Sequence, residues 1–193
     1  MTDLHSEAQF DNFFALFEQP LQFNVSQSHL DQRLRALQKR YHPDNVSQDM
    51  SDSVQAKYDS EQASAMINKA YQTLRSPDTR AAYLLDTAGQ AASVETSIAD
   101  LDFLDDAMDM RIALDEAINT HNLSALHVLR PQIASRLETQ ADKFNTAYEQ
   151  QQWLTAVDAT QKLKFLVKLD ADLISAIDDA SKGSESDDDD LYV

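Results

Sequence analysis

The chain has 193 residues and no cysteine, so disulfide bonds and thiolate metal sites are excluded. Its 33 acidic side chains outnumber 16 basic ones and give a formal charge of −17. This balance argues against a nucleic-acid partner, because phosphate binding needs clustered Lys and Arg. Only 2 glycines and 4 prolines accompany 42% hydrophobic residues, and β-branched alternation is rare, so we expect an all-α fold with short connections.

The first residues and the hydropathy of the chain bear on its location. Asp3 and Glu7 fall where a signal peptide would have its basic start. No apolar run approaches the ~18 residues that a membrane span needs. We therefore expect a cytoplasmic protein in which residues 1–10 are disordered.

Residues 11–88 are expected to form a first, small helical domain. A short helix is predicted for 11–18, with Phe14 and Phe17 on one face. Ser26 or Ser28 could cap the next helix, in which apolar residues recur at helical spacing. That stripe consists of Leu30, Leu34, Leu37 and Tyr41. The cations of this helix lie off the stripe and are expected to face water. They are Arg33, Arg35, Lys39 and Arg40.

A tight turn and two further helices are predicted to complete this domain. Pro43 ends the basic helix and biases His42 away from helical geometry. A second striped helix is predicted from about 53 to 74. Its stripe consists of Ala63, Ile67, Ala70, Tyr71 and Leu74. Ser76 and Pro77 then fit the cap and first position of a fourth helix, which Gly89 closes.

The C-terminal half is predicted to be a separate three-helix bundle over residues 97–181, after a small, polar linker at 89–96. The three segments run from about 97 to 119, 123 to 149 and 151 to 181. Pro131 either kinks the second helix or marks its start, and we favour the kink. The tail 182–193 contains four consecutive aspartates and is expected to be disordered.

The first helix of the bundle has more apolar surface than one core requires. One arc of its helical wheel is an ordinary bundle stripe. It consists of Phe103, Ala107, Met110, Leu114 and Ala117. A second arc consists of Leu101, Leu104, Met108 and Ile112 and is bordered by acidic residues. It could be an exposed binding face with an acidic rim. Alternatively, the two arcs could form one wide arc that packs against both neighbouring helices.

The N-terminal pattern resembles the J-domain, the module that recruits a DnaK-class chaperone and triggers its ATP hydrolysis. The resemblance is carried by the basic striped helix, the turn His42-Pro43-Asp44, and the later segment 67–74. It implies that His42, Pro43 and Asp44 contact the chaperone ATPase. The neighbouring cations Arg33, Arg35, Lys39 and Arg40 would steer that partner electrostatically, although an ordinary solvated helix face has the same composition.

The wider chain is similar to the HscB family of iron–sulfur cluster assembly co-chaperones. Arg80-Ala81-Ala82-Tyr83-Leu84-Leu85 is the most specific match, and Phe103-Leu104 and the segment 162–166 extend it. The resemblance implies two partners, an HscA-like DnaK-class ATPase and an IscU-like cluster scaffold. It also implies that the scaffold contacts one group of residues in the bundle. They are Leu104, Asp105, Met108, Asp109, Ile112, Glu116 and Phe165.

No catalytic or metal site is expected. His42 and Asp44 lack a nucleophile and a concave pocket, so we expect a co-chaperone rather than an enzyme. The remaining histidines show no metal-ligand spacing, and we expect no metal and no cofactor. Two alternatives remain, a general J-protein for unfolded clients and a structural acidic coiled-coil adaptor. Pro131 argues against the second.

Overall fold

The computed structural model describes residues 12–41, 54–91 and 98–186. Within these ranges the chain forms seven α-helices and no strand, which confirms the all-α prediction. The helices are α1 (Phe13–Leu16), α2 (Gln27–Arg40), α3 (Val54–Arg75), α4 (Pro77–Thr87), α5 (Leu101–Asn119), α6 (Leu123–Glu149) and α7 (Trp153–Ser186). None of the helices in these three ranges is long and apolar enough to cross a bilayer.

The chain divides into two compact units, Met1–Leu84 and Leu85–Val193. The division falls within α4, a few residues before the predicted linker at 89–96. Residues 92–97, most of that linker, lie outside the described residues, as do the N-terminal segment 1–11 and the end of the tail, 187–193.

The short α1 begins because Asn12 Oδ1 accepts a hydrogen bond from the amide of Ala15 at 2.9 Å. It ends earlier than predicted, with Glu18 in the left-handed region at φ 53°. Its aromatic face is nevertheless as expected, because Phe14 and Phe17 are both fully buried.

Helices α2 and α3 pack through the predicted stripes. Leu30 and Leu37 of α2 are buried, as are three members of the α3 stripe, Ile67, Ala70 and Leu74. A polar link also joins the two helices, since the Tyr71 hydroxyl donates to Asp31 at 2.7 Å. That hydrogen bond lowers the pKa of the Asp31 carboxyl, with Gln27 as a second donor.

The segment 80–85 of α4 contacts several neighbouring elements. The Arg80 guanidinium donates to the carbonyl of Leu74 at 2.6 Å and lies over the Phe23 ring. Its burial lowers its pKa to about 10, against a raising effect of Asp78. Tyr83 stacks on Phe13 with ring centroids 4.6 Å apart. The segment therefore ties α4 to the end of α3 and to α1.

As predicted, α4 begins at Pro77 and Gly89 terminates it. Gly89 has φ 75°, and its amide donates to the carbonyl of Asp86. Glycine suits this position because it adopts the left-handed conformation without a Cβ clash.

In the C-terminal unit, α5, α6 and α7 enclose one apolar core. All five members of the predicted α5 stripe are buried in it. The three helices form a bundle, so the coiled-coil adaptor architecture is wrong. Helices α5 and α7 run parallel, because three cross-contacts all join residues 61 or 62 positions apart in sequence. They are Asp100–Lys162, Phe103–Phe165 and Arg111–Asp172.

Helix α6 follows α5 and precedes α7 in the chain. It runs without interruption from Leu123 to Glu149, with Pro131 inside it. The possibility that the helix starts at Pro131 is therefore wrong. Asn122 caps the true start, and its side chain accepts from the Ala125 amide at 3.0 Å. His121 and Gln151 adopt positive φ and form the tight joints on either side.

Two predictions about α7 need correction. The helix extends to Ser186, so residues 182–186 are helical rather than part of a disordered tail. Helical spacing within α7 also predicts a buried stripe of Leu163, Val167 and Ile174. Only Leu163 is buried as expected, since Val167 is half-buried and Ile174 is exposed. The fully buried leucines are Leu163, Leu166, Leu169 and Leu173. They form a wider arc because α7 packs against two helices at once.

Candidate partner-binding faces

The first candidate site is the turn that follows α2. His42, Pro43 and Asp44 lie outside the described residues, but the base of the turn is described. The carbonyl oxygen of Tyr41 accepts hydrogen bonds from the hydroxyls of Ser60 at 2.8 Å and Ser64 at 3.2 Å. Two α3 side chains thus hold the last turn of α2 and fix where the turn segment departs.

The cations of α2 do not form one uniform face. Arg35, Lys39 and Arg40 are exposed, as predicted. Arg33 is not, and the prediction that it faces water is wrong. Its side chain is 23% exposed, pairs with Glu18 at 3.1 Å and donates to the carbonyl of Leu16 at 3.3 Å. Arg33 therefore ties α2 to the end of α1, a contact that helical spacing within α2 alone could not reveal.

The second candidate site is the outer arc of α5. Its apolar side chains are exposed, Leu101 by 72%, Leu104 by 37%, Met108 by 65% and Ile112 by 56%. We call these four residues the apolar strip. The alternative in which both arcs of α5 are buried against neighbouring helices is therefore wrong. An exposed apolar strip beside a complete core is typical of an interaction surface.

One side of the strip is lined by carboxylates. Asp105, Asp109 and Glu116 are exposed and lie within about 60° of Ile112 on the helical wheel. Among the described residues their carboxylates form no ion pair, whereas Asp106 pairs with Arg136 and Asp115 pairs with Arg111. We call these three the acidic margin. Their charges are available to an outside partner.

The other side of the strip faces α7. Leu104 is about 20° from Arg111 on the α5 wheel, and Arg111 pairs with Asp172 of α7. Phe165 precedes Asp172 by two helical turns, so it lies on the same side of α7. The strip and Phe165 are thus parts of one surface formed by two parallel helices.

Phe165 lies about 200° from Leu163 on the α7 wheel, which predicts that it is off the buried stripe of its helix. The structure leaves it half-buried against the core, and its ring meets that of Phe103 edge-on with centroids 6.2 Å apart. Phe165 therefore belongs in part to the core and in part to the surface. The parallel register of α5 and α7 brings the two rings together, and the sequence of α7 alone does not contain that register.

A buried lysine, which the sequence reasoning missed, anchors the start of α5. Lys162 Nζ lies 2.6 Å from Asp100 and 2.7 Å from Asp158, with its side chain 5% exposed. Asp100 also caps α5, since its carboxylate accepts from the Phe103 amide at 3.0 Å. The sequence does contain an indication of this pair, which is a lysine on the buried arc of α7 together with an aspartate near the predicted start of α5.

The pKa values of this pair are shifted in opposite directions. Burial lowers the pKa of Lys162, but hydrogen bonds to Asp100 and Asp158 outweigh that effect and leave the pKa raised. The hydrogen bond from Lys162 in turn lowers the pKa of Asp100, aided by the Phe103 amide. Both groups are therefore held in their charged forms. The pair fixes the first turn of α5, which carries Leu101 and Leu104.

No group of His, Asp and Glu side chains in the part of the chain that the structure describes is arranged to hold a metal ion. The candidate sites described above are two surfaces, the α2 end and the α5–α7 face.

Comparison with known proteins gives concordant matches. Residues 99–173 match the family model described as the HSCB C-terminal oligomerisation domain. A co-chaperone protein HscB homolog of Acinetobacter baumannii is 32% identical over 86% of this chain and 91% of its own. Chaperone HscB from Vibrio cholerae has a TM-score of 0.72 and 34% identity, covering 87% of this chain and 98% of its own. Human co-chaperone protein HscB has a TM-score of 0.70 and 26% identity, covering 84% and 80%.

Proposed function

The chain belongs to the HscB family of co-chaperones, and we propose that it delivers an IscU-like iron–sulfur cluster scaffold to an HscA-like, DnaK-class ATPase and stimulates that ATPase. ATP hydrolysis would take place on the partner, in the cytoplasm. The observation that carries the scaffold half of this proposal is the exposed apolar strip beside a complete bundle core.

The N-terminal unit would bind the ATPase. Arg35, Lys39 and Arg40 form an exposed basic surface in a chain of charge −17, and that surface leads directly into the turn 42–44. Local positive charge on an acidic protein favours approach of an acidic partner surface in one orientation. Arg33 is engaged with Glu18, so its main role would be to hold α2 in place.

The C-terminal unit would bind the scaffold through the apolar strip. Leu104 and Met108 would be the main anchors, with Ile112 and the edge of Phe165 extending the apolar contact. The acidic margin, Asp105, Asp109 and Glu116, would form the polar rim that interfaces place around an apolar centre.

A second occupant of the same face is a second copy of this chain. The matching family model is described as an oligomerisation domain, which favours this alternative. Sedimentation of the chain alone over a range of concentrations distinguishes the two. A monomer throughout that range favours the scaffold, whereas a dimer that dissociates on changing Leu104 and Met108 to Ala favours self-association.

Scaffold affinity and ATPase stimulation test the proposal together. The double variant Leu104→Ala/Met108→Ala should lose scaffold affinity by on the order of 2 kcal/mol or more, about 30-fold in Kd. Its stimulation of the ATPase without scaffold should be unchanged. The matched control is Leu154→Ala/Ile174→Ala, which removes exposed apolar side chains elsewhere in the same unit. Equal loss in both variants would contradict the proposal.

A further inference from the structure

Two lysines on α7 lie beside the proposed scaffold face without a described role. Lys164 and Lys168 are exposed and four residues apart, so they are neighbours on one helix surface. Neither forms an ion pair within the described parts of the chain. Like charges at this spacing repel each other, and no acidic side chain there pairs with either of them. We call these two residues the lysine margin.

The position of this margin follows from the helical register. Lys168 lies three residues after Phe165 and four before Asp172, so it shares their side of α7. Phe165 meets Phe103 and Asp172 meets Arg111, both on α5. Lys168 therefore borders the α5–α7 face, and Lys164 lies one turn before it.

The face consequently has opposite charge on its two sides. The lysine margin lies along α7, and the acidic margin lies on the far side of the apolar strip. Between them Arg111 pairs with both Asp115 and Asp172, so this cluster carries one net negative charge on the inner side of the lysine margin. The two outer margins nevertheless have opposite charge, cationic along α7 and anionic beyond the apolar strip.

We infer that this polarity sets the orientation in which the scaffold docks. The inference rests on the proposed function and adds the lysine margin to it as a specificity element. The scaffold would place an anionic group near Lys164 and Lys168 and a cationic group near the acidic margin. Turning it by half a revolution on the apolar strip would oppose like charges on both sides, which disfavours that orientation.

The experiment measures the association rate of the full chain with an IscU-like scaffold at low and at physiological salt. Lys164→Glu/Lys168→Glu reverses one margin, and Asp105→Lys/Asp109→Lys reverses the other. Lys143→Glu is the control for the first variant, and Glu138→Lys/Asp142→Lys, also an exposed pair four residues apart, is the control for the second. Circular dichroism checks that all variants fold.

Each margin reversal should slow association by on the order of three- to tenfold at low salt, and less at physiological salt. The controls should change it by less than about twofold, because Glu138, Asp142 and Lys143 are on α6 and belong to neither margin. The inferred polarity is wrong, and the proposed function still stands, if Lys164→Glu/Lys168→Glu associates as fast as Lys143→Glu while Leu104→Ala/Met108→Ala binds weakly. If Leu104→Ala/Met108→Ala binds normally, both the polarity and the proposed scaffold site are wrong.

Discussion

Replacing Lys162 with Met should destabilise the C-terminal unit and weaken scaffold binding at the same time. Met preserves most of the side-chain volume but removes the charge that joins Asp100 and Asp158. Breaking a fully buried pair costs about 3–5 kcal/mol. Here the partner carboxylates are 43% and 40% exposed and can regain water, so we expect a smaller loss of about 1–2 kcal/mol in unfolding free energy.

The assay is urea and thermal unfolding of the full chain, with scaffold affinity measured on the same samples. A loss of 1–2 kcal/mol corresponds to a fall in Tm of roughly 5–15 °C for a unit of this size. Lys143→Met is the control, because Lys143 is exposed and forms no ion pair in the described ranges. Its charge contributes only the smallest of the named effects that lower the pKa of Asp100. An unchanged Tm and unchanged affinity for Lys162→Met would mean that this pair does not fix the first turn of α5.

Three further predictions concern other contacts. Phe165→Ala should reduce both Tm and scaffold affinity, since its ring packs on the core and also borders the face. A change in affinity alone would mean that packing of this ring contributes little to folding stability. Reversing Lys39 and Arg40 to Glu should slow association with the ATPase more at low salt than at high salt, and equal rates under all conditions would exclude steering. Because the hydrogen bond from Tyr71 lowers the pKa of Asp31, its stabilising effect is present above the ordinary carboxyl pKa and is lost as pH falls through the lowered value. Asp31→Asn should therefore flatten the acid side of a stability–pH curve, and an unaltered curve would show that the contact is not stabilising.

The sequence was most informative where one helix could be interpreted by itself. The period of 3.6 residues separated the buried arc of α5 from the exposed Leu104 and Met108, and both assignments are confirmed. The ends of α4 were also predicted correctly, since Pro77 and Gly89 act through their own backbone geometry. These features depend on local chemistry, which a single segment contains.

The sequence was least informative where a side chain finds its partner on another segment of the chain. Arg33 meets Glu18, Phe165 meets Phe103, and Lys162 meets Asp100. Each pairing depends on how two segments pack together, and a wheel of one helix cannot contain that information. The burial of Lys162 was missed for this reason, and Arg33 and Phe165 were both expected to be more exposed than they are.

Methyl NMR of the chain during titration with an IscU-like scaffold shows directly which exposed side chains the scaffold covers. Separate labelling of Leu, Met, Ile and Val methyl groups reports on the strip and on exposed apolar residues outside it. We expect shifts or broadening at Leu104, Met108 and Ile112, and unchanged signals at Leu154 and Ile174, which are also exposed. Changes confined to Leu154 or Ile174, with the strip unaffected at saturating scaffold, would mean that the scaffold docks elsewhere.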